Sequence, residues 1–283
     1  RLGELRSETR QAIEPAVNSI IEQNNLTIEK TTIQKIPCLH IQPSKVKVAW
    51  KILYGFGGGY ATGSPFEDLT IAAPISVATG AIMIIPHYRL APENPWPTPV
   101  DDGFLVYQEL SKECFAMVGE SAGGNLGLAL MHRAKRSGTP FPKAIALLSP
   151  WCDLTNSGYS LVDNDGRDPA LTKQHLDFAA KCYGKENNLA DTDISPMNGK
   201  FDSTFPPCYI STGTRDLLMS QSICLANKLR EHDVKVDLRV WKDLWHVFEW
   251  DNNLPEAKAS IAAISEGDFS SSSNATKLSF ATG

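Results

Sequence analysis

The stretch CFAMVGESAGGNLGLALMHRAKRSG, residues 114–138, reads as an apolar strand, a tight corner and a long apolar helix. The strand runs from Phe115 to Val118, and the corner is Gly119-Glu120-Ser121-Ala122-Gly123. A G-x-S-x-G spacing puts its central residue in a strained turn at the carboxyl end of a strand, and its small neighbours let strand and helix approach closely. Ser121 then projects from the top of a sheet at the amino end of a helix, where backbone N–H groups and the dipole favour negative charge. Two glycines and a serine also meet in proteins without such chemistry, so the reading depends on partners elsewhere in the chain.

Upstream, residues 1–25 have the loose periodicity of a helix, and LTIEKTTIQKIPCLHIQP alternates as an edge hairpin does, with His40 in a structural place. VAWKILYGF is a buried strand that runs into Gly57-Gly58-Gly59. Three consecutive glycines lose much conformational freedom on folding. Either they make a plain tight turn, or their bare backbone aims N–H groups at a ligand; the presence of Ser121 favours the second. SPFEDLTIAAPISVAT reads as a helix with Pro65 near its start, GAIMIIPHYRL as a central parallel strand, and the proline-dense APENPWPTPVDDG as irregular chain before the helix FLVYQELSK.

Downstream, the segments KAIALLSPWCDL, PPCYISTGT and VKVDLRVW read as strands, with LLMSQSICLANKLREHD and LPEAKASIAAI as helices. Residues from about 155 to 198 interrupt that rhythm as a polar insertion with one helical pattern, LTKQHLDFAAKCYG. Alternating strands and helices predict an α/β domain, a parallel or mixed sheet with helices on both faces. In such sheets, functional groups gather at the carboxyl ends of strands.

Two further strand ends carry chemistry. Asp216 follows PPCYISTG, and His246 follows VKVDLRVW by a few residues. A serine hydroxyl is a weak nucleophile near neutral pH; it needs a base within hydrogen-bond reach, and the base needs a third group to fix its tautomer. The order Ser121, Asp216, His246 on three strand-end loops satisfies that need. Asp243, Glu249 and Asp251 are nearer in sequence to His246 but would have to fold back locally. His232 follows a helix as a C-terminal cation, His87 precedes the proline-rich loop, and His132 and His175 sit on helices.

The 283 residues carry 42% hydrophobic and 21% charged side chains, enough for one large core, with no linker or repeat to divide it. A net charge of −5 argues against a nucleic-acid or anionic-membrane partner. The six cysteines have no C-x-x-C or metal-site spacing and are expected as buried thiols in a reducing compartment. No apolar run approaches the ~20 residues of a membrane span, and no signal-peptide pattern is present, so the expected location is cytoplasmic.

FGGGY (Phe56–Tyr60), HYRLAPENPWPTPVDD (His87–Asp102), GESAGGN (Gly119–Asn125), SPWCDL (Ser149–Leu154), GTRDLL (Gly213–Leu218) and HVF (His246–Phe248) occur in one order along nearly the whole chain. In these the chain resembles the hormone-sensitive-lipase-like family of α/β-hydrolases, bacterial esterases related to arylacetamide deacetylase. The resemblance implies an α/β-hydrolase fold with a mostly parallel eight-stranded sheet. It also implies one domain over 1–283 with a small helical cap, built from about 1–25 and the insertion at about 155–198.

On that reading, Ser121, Asp216 and His246 are catalytic, the N–H groups of Gly58, Gly59 and Ala122 form the oxyanion hole, and no cofactor or metal is required. The implied activity is hydrolysis of small carboxylic esters of short to medium chain through an acyl-enzyme. A lactone hydrolase or a deacetylase would use the same residues. Plant gibberellin receptors resemble the family but have lost the triad histidine, so His246 argues for an enzyme over a non-catalytic binding protein.

Three departures stand out. Phe56 occupies the place of the family's usual histidine, Glu120 that of an aspartate, and the link after Lys112 is short; a changed loop rigidity with retained activity is the expected outcome. Trp96, Trp151, Trp245 and Trp250 are candidates to line an apolar pocket. The edge strand VKVDLRVW could pair with a copy of itself, so a homodimer is possible.

Overall fold

The computed structural model describes residues 2–267; the remainder of the span 1–283 expected as one domain lies outside the described residues. The chain opens with α1 (Leu2–Asn24), then the hairpin β1 (Thr27–Ile33) and β2 (Ile36–Gln42). β3 (Lys51–Gly55), α2 (Leu69–Thr79), β4 (Ile82–Pro86) and α3 (Thr98–Leu110) lead to β5 (Phe115–Glu120) and α4 (Ala122–Ser137). After β6 (Ile145–Leu148) the insertion contributes α5 (Ser160–Asp163) and α6 (Lys173–Gly184). β7 (Cys208–Gly213), α7 (Met219–Glu231), β8 (Val236–Trp241) and α8 (Pro255–Glu266) complete the chain.

The strands form one eight-stranded sheet in the order β1-β2-β4-β3-β5-β6-β7-β8. β3 to β8 run parallel, and β1 and β2 join antiparallel at one edge. Every residue of β5 and β7 is buried, as strands covered on both faces must be. α2 packs against α1 and α8, and α3 against α4. β8 has no buried residue and forms the other edge.

Two local expectations need correction. The helix expected from residue 64 begins at Leu69, so Pro65 lies in the preceding turn, while Pro74 sits inside the helix. The proline-dense segment is not wholly irregular. Thr98 to Gly103 form the first turns of α3, with Pro99 in the first turn, where the missing N–H has no intrahelical partner to lose. The loop before it is tied down by Arg89, whose backbone N–H and guanidinium all donate to the buried carboxylate of Asp102, with side-chain distances of 2.9 and 2.7 Å. Among the described residues, no helix is long and apolar enough to cross a membrane.

Candidate active site

Ser121 sits between β5 and α4 at φ 52° and ψ −118°, a region that L-residues rarely occupy. Close packing enforces the turn. A Cβ added at Gly123 would lie 1.9 Å from the Gly55 carbonyl oxygen, and one at Gly119 would lie 2.3 Å from that of Gly123. The Ser121 N–H is anchored to the Leu148 carbonyl of the neighbouring strand at 2.9 Å. The hydroxyl is thereby thrust out of the sheet's carboxyl edge.

Two strand-end loops meet it there. Ser121 Oγ lies 3.0 Å from His246 Nε2, and His246 Nδ1 lies 3.0 Å from Asp216 Oδ1. An ionised carboxylate only accepts, so Nδ1 carries the ring proton and Nε2 is left to accept from the serine. Asp216 is fully buried; its Oδ1 also accepts from Leu218 N–H at 2.8 Å, and its Oδ2 from the Thr212 hydroxyl at 2.8 Å. Burial alone would raise its pKa, but His246, the Ser149 hydroxyl and the Leu218 N–H outweigh that and hold it below the ordinary carboxylate value. Burial would likewise lower the pKa of His246. The carboxyls of Asp216, Asp168 and Glu249 override it, so the imidazole titrates above its ordinary 6.5.

These groups open into a cavity of about 440 Å³, within the range typical of small-molecule sites. Gly58 and Gly59 line it beside Ser121 and His246, at φ 95° and 62°. Ala122 is the fully buried first residue of α4, directly behind Ser121. Residues Leu2 and Leu5 of α1, and Leu171, Leu176 and Phe178 of the insertion, supply apolar wall. Of the four candidate tryptophans, Trp250 lines the cavity. Trp151 is instead a core residue whose indole N–H donates to Asn156 at 2.7 Å.

The glycine loop is braced in an unexpected way. Phe56 stacks on Tyr88 with ring centroids 4.1 Å apart and planes 7° from parallel, while the Tyr88 hydroxyl donates to the Phe56 carbonyl. On the other side, a Cβ at Gly57 would lie 2.0 Å from Glu120 Oε1. Glu120 is hydrogen-bonded to Asp68, which also accepts from the Tyr54 hydroxyl at 3.1 Å. Burial pushes the pKa of Asp68 up to about 6; burial, with the Asp68 charge added, pushes Glu120 well above the carboxylate range. A hydrogen bond between two carboxyl groups needs a proton on one of them, and a side chain at position 57 would run into this pair.

A family model described as alpha/beta hydrolase fold matches residues 52–250. The chain belongs to this family. Its α/β-hydrolase fold is shared with a crystal structure of an esterase from the bacterial hormone-sensitive lipase family. The two are 30% identical with a TM-score of 0.86, over 92% of this chain and 89% of the other. The chain is also 31% identical over 221 residues to an acetyl-hydrolase of Streptomyces hygroscopicus, covering 74% of this chain and 72% of that protein. An esterase of Acinetobacter venetianus is 31% identical over 222 residues, covering 76% and 73%.

In this α/β-hydrolase, among the described residues, none of the rival groups hydrogen-bonds the serine hydroxyl, which pairs with His246. His232 Nδ1 bonds the Lys228 carbonyl at the end of α7, and His132 Nε2 bonds the Pro196 carbonyl. Glu249 is buried beneath the site, where Oε1 accepts from the Ser211 and Ser260 hydroxyls. His175 does reach the cavity wall, from α6. Asp168, within the insertion, is a group the sequence reading passed over, although its Oδ2 lies 3.2 Å from the His246 backbone nitrogen. The sole local signal for it is an aspartate before proline in GRDPALT, a turn-forming pair.

Proposed function

We propose that the protein is a serine carboxylesterase that hydrolyses small carboxylic esters of short to medium acyl chain. The observation that carries this reading is the hydrogen-bonded series Ser121–His246–Asp216, with both links at 3.0 Å, opening into a mainly apolar cavity. His246 takes the serine proton as Ser121 Oγ attacks the ester carbonyl carbon, and Asp216 stabilises the resulting imidazolium. The N–H groups of Gly58, Gly59 and Ala122 receive the developing oxyanion. His246 then protonates the departing alcohol, and water activated by the same imidazole releases the acid. α1 and the segment 155–198 act as the cap that closes the acyl pocket. The acetyl-hydrolase relative supports a small acyl group.

The test is hydrolysis of p-nitrophenyl esters from acetate through laurate across a pH series. Rates should peak at the short chains. Only neutral His246 can accept the proton, so kcat/KM falls as pH drops through its pKa; since that pKa is raised, the acid limb lies above 6.5. An acid limb below that value would contradict the charge arrangement, and absence of turnover by folded protein would overturn the esterase reading.

The same reading extends to setting and assembly. All six cysteines are free thiols, which suits a cytoplasmic location, but only Cys38, Cys152 and Cys208 are buried as expected; Cys114 and Cys224 are exposed. β8 presents an unpaired edge with Val240 exposed, which suits strand-to-strand pairing in a homodimer. Light scattering at micromolar concentration should give twice the monomer mass; a single monomer-sized species would reject the dimer.

A further inference from the structure

The insertion is fastened to the loops that carry Asp216 and His246 by polar groups drawn from one of its turns. Asn164 Nδ2 donates to the carbonyls of Thr214 at 3.2 Å and Asp216 at 2.9 Å. Arg215, beside Asp216, reaches the other way and donates from Nε to the Arg167 carbonyl at 2.9 Å. At the centre is Asp168, which is only 5% exposed. Its Oδ1 accepts from the N–H groups of Ala170 and Leu171 at 2.9 and 3.3 Å, and both of those residues line the cavity. Its Oδ2 accepts from the N–H groups of Leu217 at 3.3 Å and His246 at 3.2 Å.

A carboxylate that merely ordered its own turn would need only the Oδ1 contacts. The Oδ2 contacts reach residues 49 and 78 positions away, one next to Asp216 and the other His246 itself. Bonds from N–H groups to an ionised carboxylate are stronger than neutral ones, and burial shields them from competing water. We propose that Asp168 is a positioning residue whose carboxylate ties the Asp216 and His246 loops to the cap, seating the cavity wall and the triad as one unit. The proposal rests on the catalytic roles assigned above.

Two effects follow, geometric and electrostatic. The His246 imidazole contacts the Asp216 carboxylate and the Ser121 hydroxyl, and the carboxyls of Asp168 and Glu249 act on it through space. Asp168→Asn removes one of the three carboxyls and turns an amide N–H toward backbone donors. Asn164→Ala breaks the same fastening but leaves every charge in place.

The experiment is an NMR titration of the His246 side chain in the wild type and both variants, run beside the pH dependence of p-nitrophenyl butyrate hydrolysis. Asp168→Asn should lower the His246 midpoint, and with it the acid limb. It should also reduce kcat about tenfold or more through misplacement of the base. Asn164→Ala should reduce kcat with the midpoint unmoved. An unchanged midpoint in Asp168→Asn, or an equal shift in Asn164→Ala, overturns the proposal. Should Asp168→Asn not fold, Asp168→Glu keeps the charge and must keep the raised midpoint; its loss there overturns the proposal equally. The titration is read without substrate, so a midpoint that shifts as expected in a protein without ester turnover rejects the esterase reading and supports the clamp.

Discussion

Replacing Ser121 with alanine should reduce kcat by roughly 10⁴-fold or more, because the attacking atom is lost while only the oxyanion donors and substrate binding remain. The fold should survive. Alanine and serine bear the same kind of strain at φ 52°, so the substitution leaves the turn's conformational cost unchanged. His246 loses a neutral hydrogen-bond partner, while the Asp216 link that raises its pKa stays. The measurement is single-turnover kinetics with p-nitrophenyl butyrate, together with labelling by a serine-directed organophosphate. Wild type should take one label per chain, on Ser121, and lose activity in proportion. Turnover retained within a few-fold in Ser121→Ala would place the nucleophile elsewhere.

Gly123→Ala should have the largest effect on stability, for a reason that lies behind the site. The added methyl would sit 1.9 Å from the Gly55 oxygen and 2.7 Å from that of Phe56, and both are backbone atoms of the strand end that carries the glycine loop. Backbone cannot swing aside as a flexible side chain can, so β3 and α4 must separate. Such overpacking costs about 3 kcal/mol or more. For a chain of this size that is a fall in Tm of about 5 °C or more. Gly3→Ala is the matched control: its Cβ would meet nothing within 4 Å, and alanine favours the helix it lies in. Equal Tm values for the two variants would refute the close-packing account of the G-x-S-x-G turn.

Ser121, Asp216 and His246 were legible as a set because each lies within a few residues of a strand's carboxyl end, and strand ends on one edge of a parallel sheet converge whatever lies between them. The chemistry then selects among the polar residues found there. What remained hidden depends on segments that carry no periodicity. Asp168 lies in a polar insertion, so nothing in its neighbourhood says that its carboxylate faces the His246 loop. Phe56 was visible as a departure, but its compensation was not, since Tyr88 is 32 residues away and must stack on it. The first turns of α3 were missed for the opposite reason: prolines that would stop a helix in its middle are tolerated where the helix begins.

β6 and β7 lie side by side, with Leu148 paired to Ser211, although the whole insertion is threaded between them. The insertion is thus a detour whose two ends are already held together by the sheet. Doubling the length of a flexible loop between fixed ends costs only about 0.6 kcal/mol, so this connection is free to lengthen, shorten or be exchanged without disturbing the strands. A designer grafting a new cap here inherits one obligation, an acid and an amide placed as Asp168 and Asn164 are, to grip the loops of Asp216 and His246. Selectivity for new substrates can then evolve in the detour while the hydrolytic machinery stays as it is.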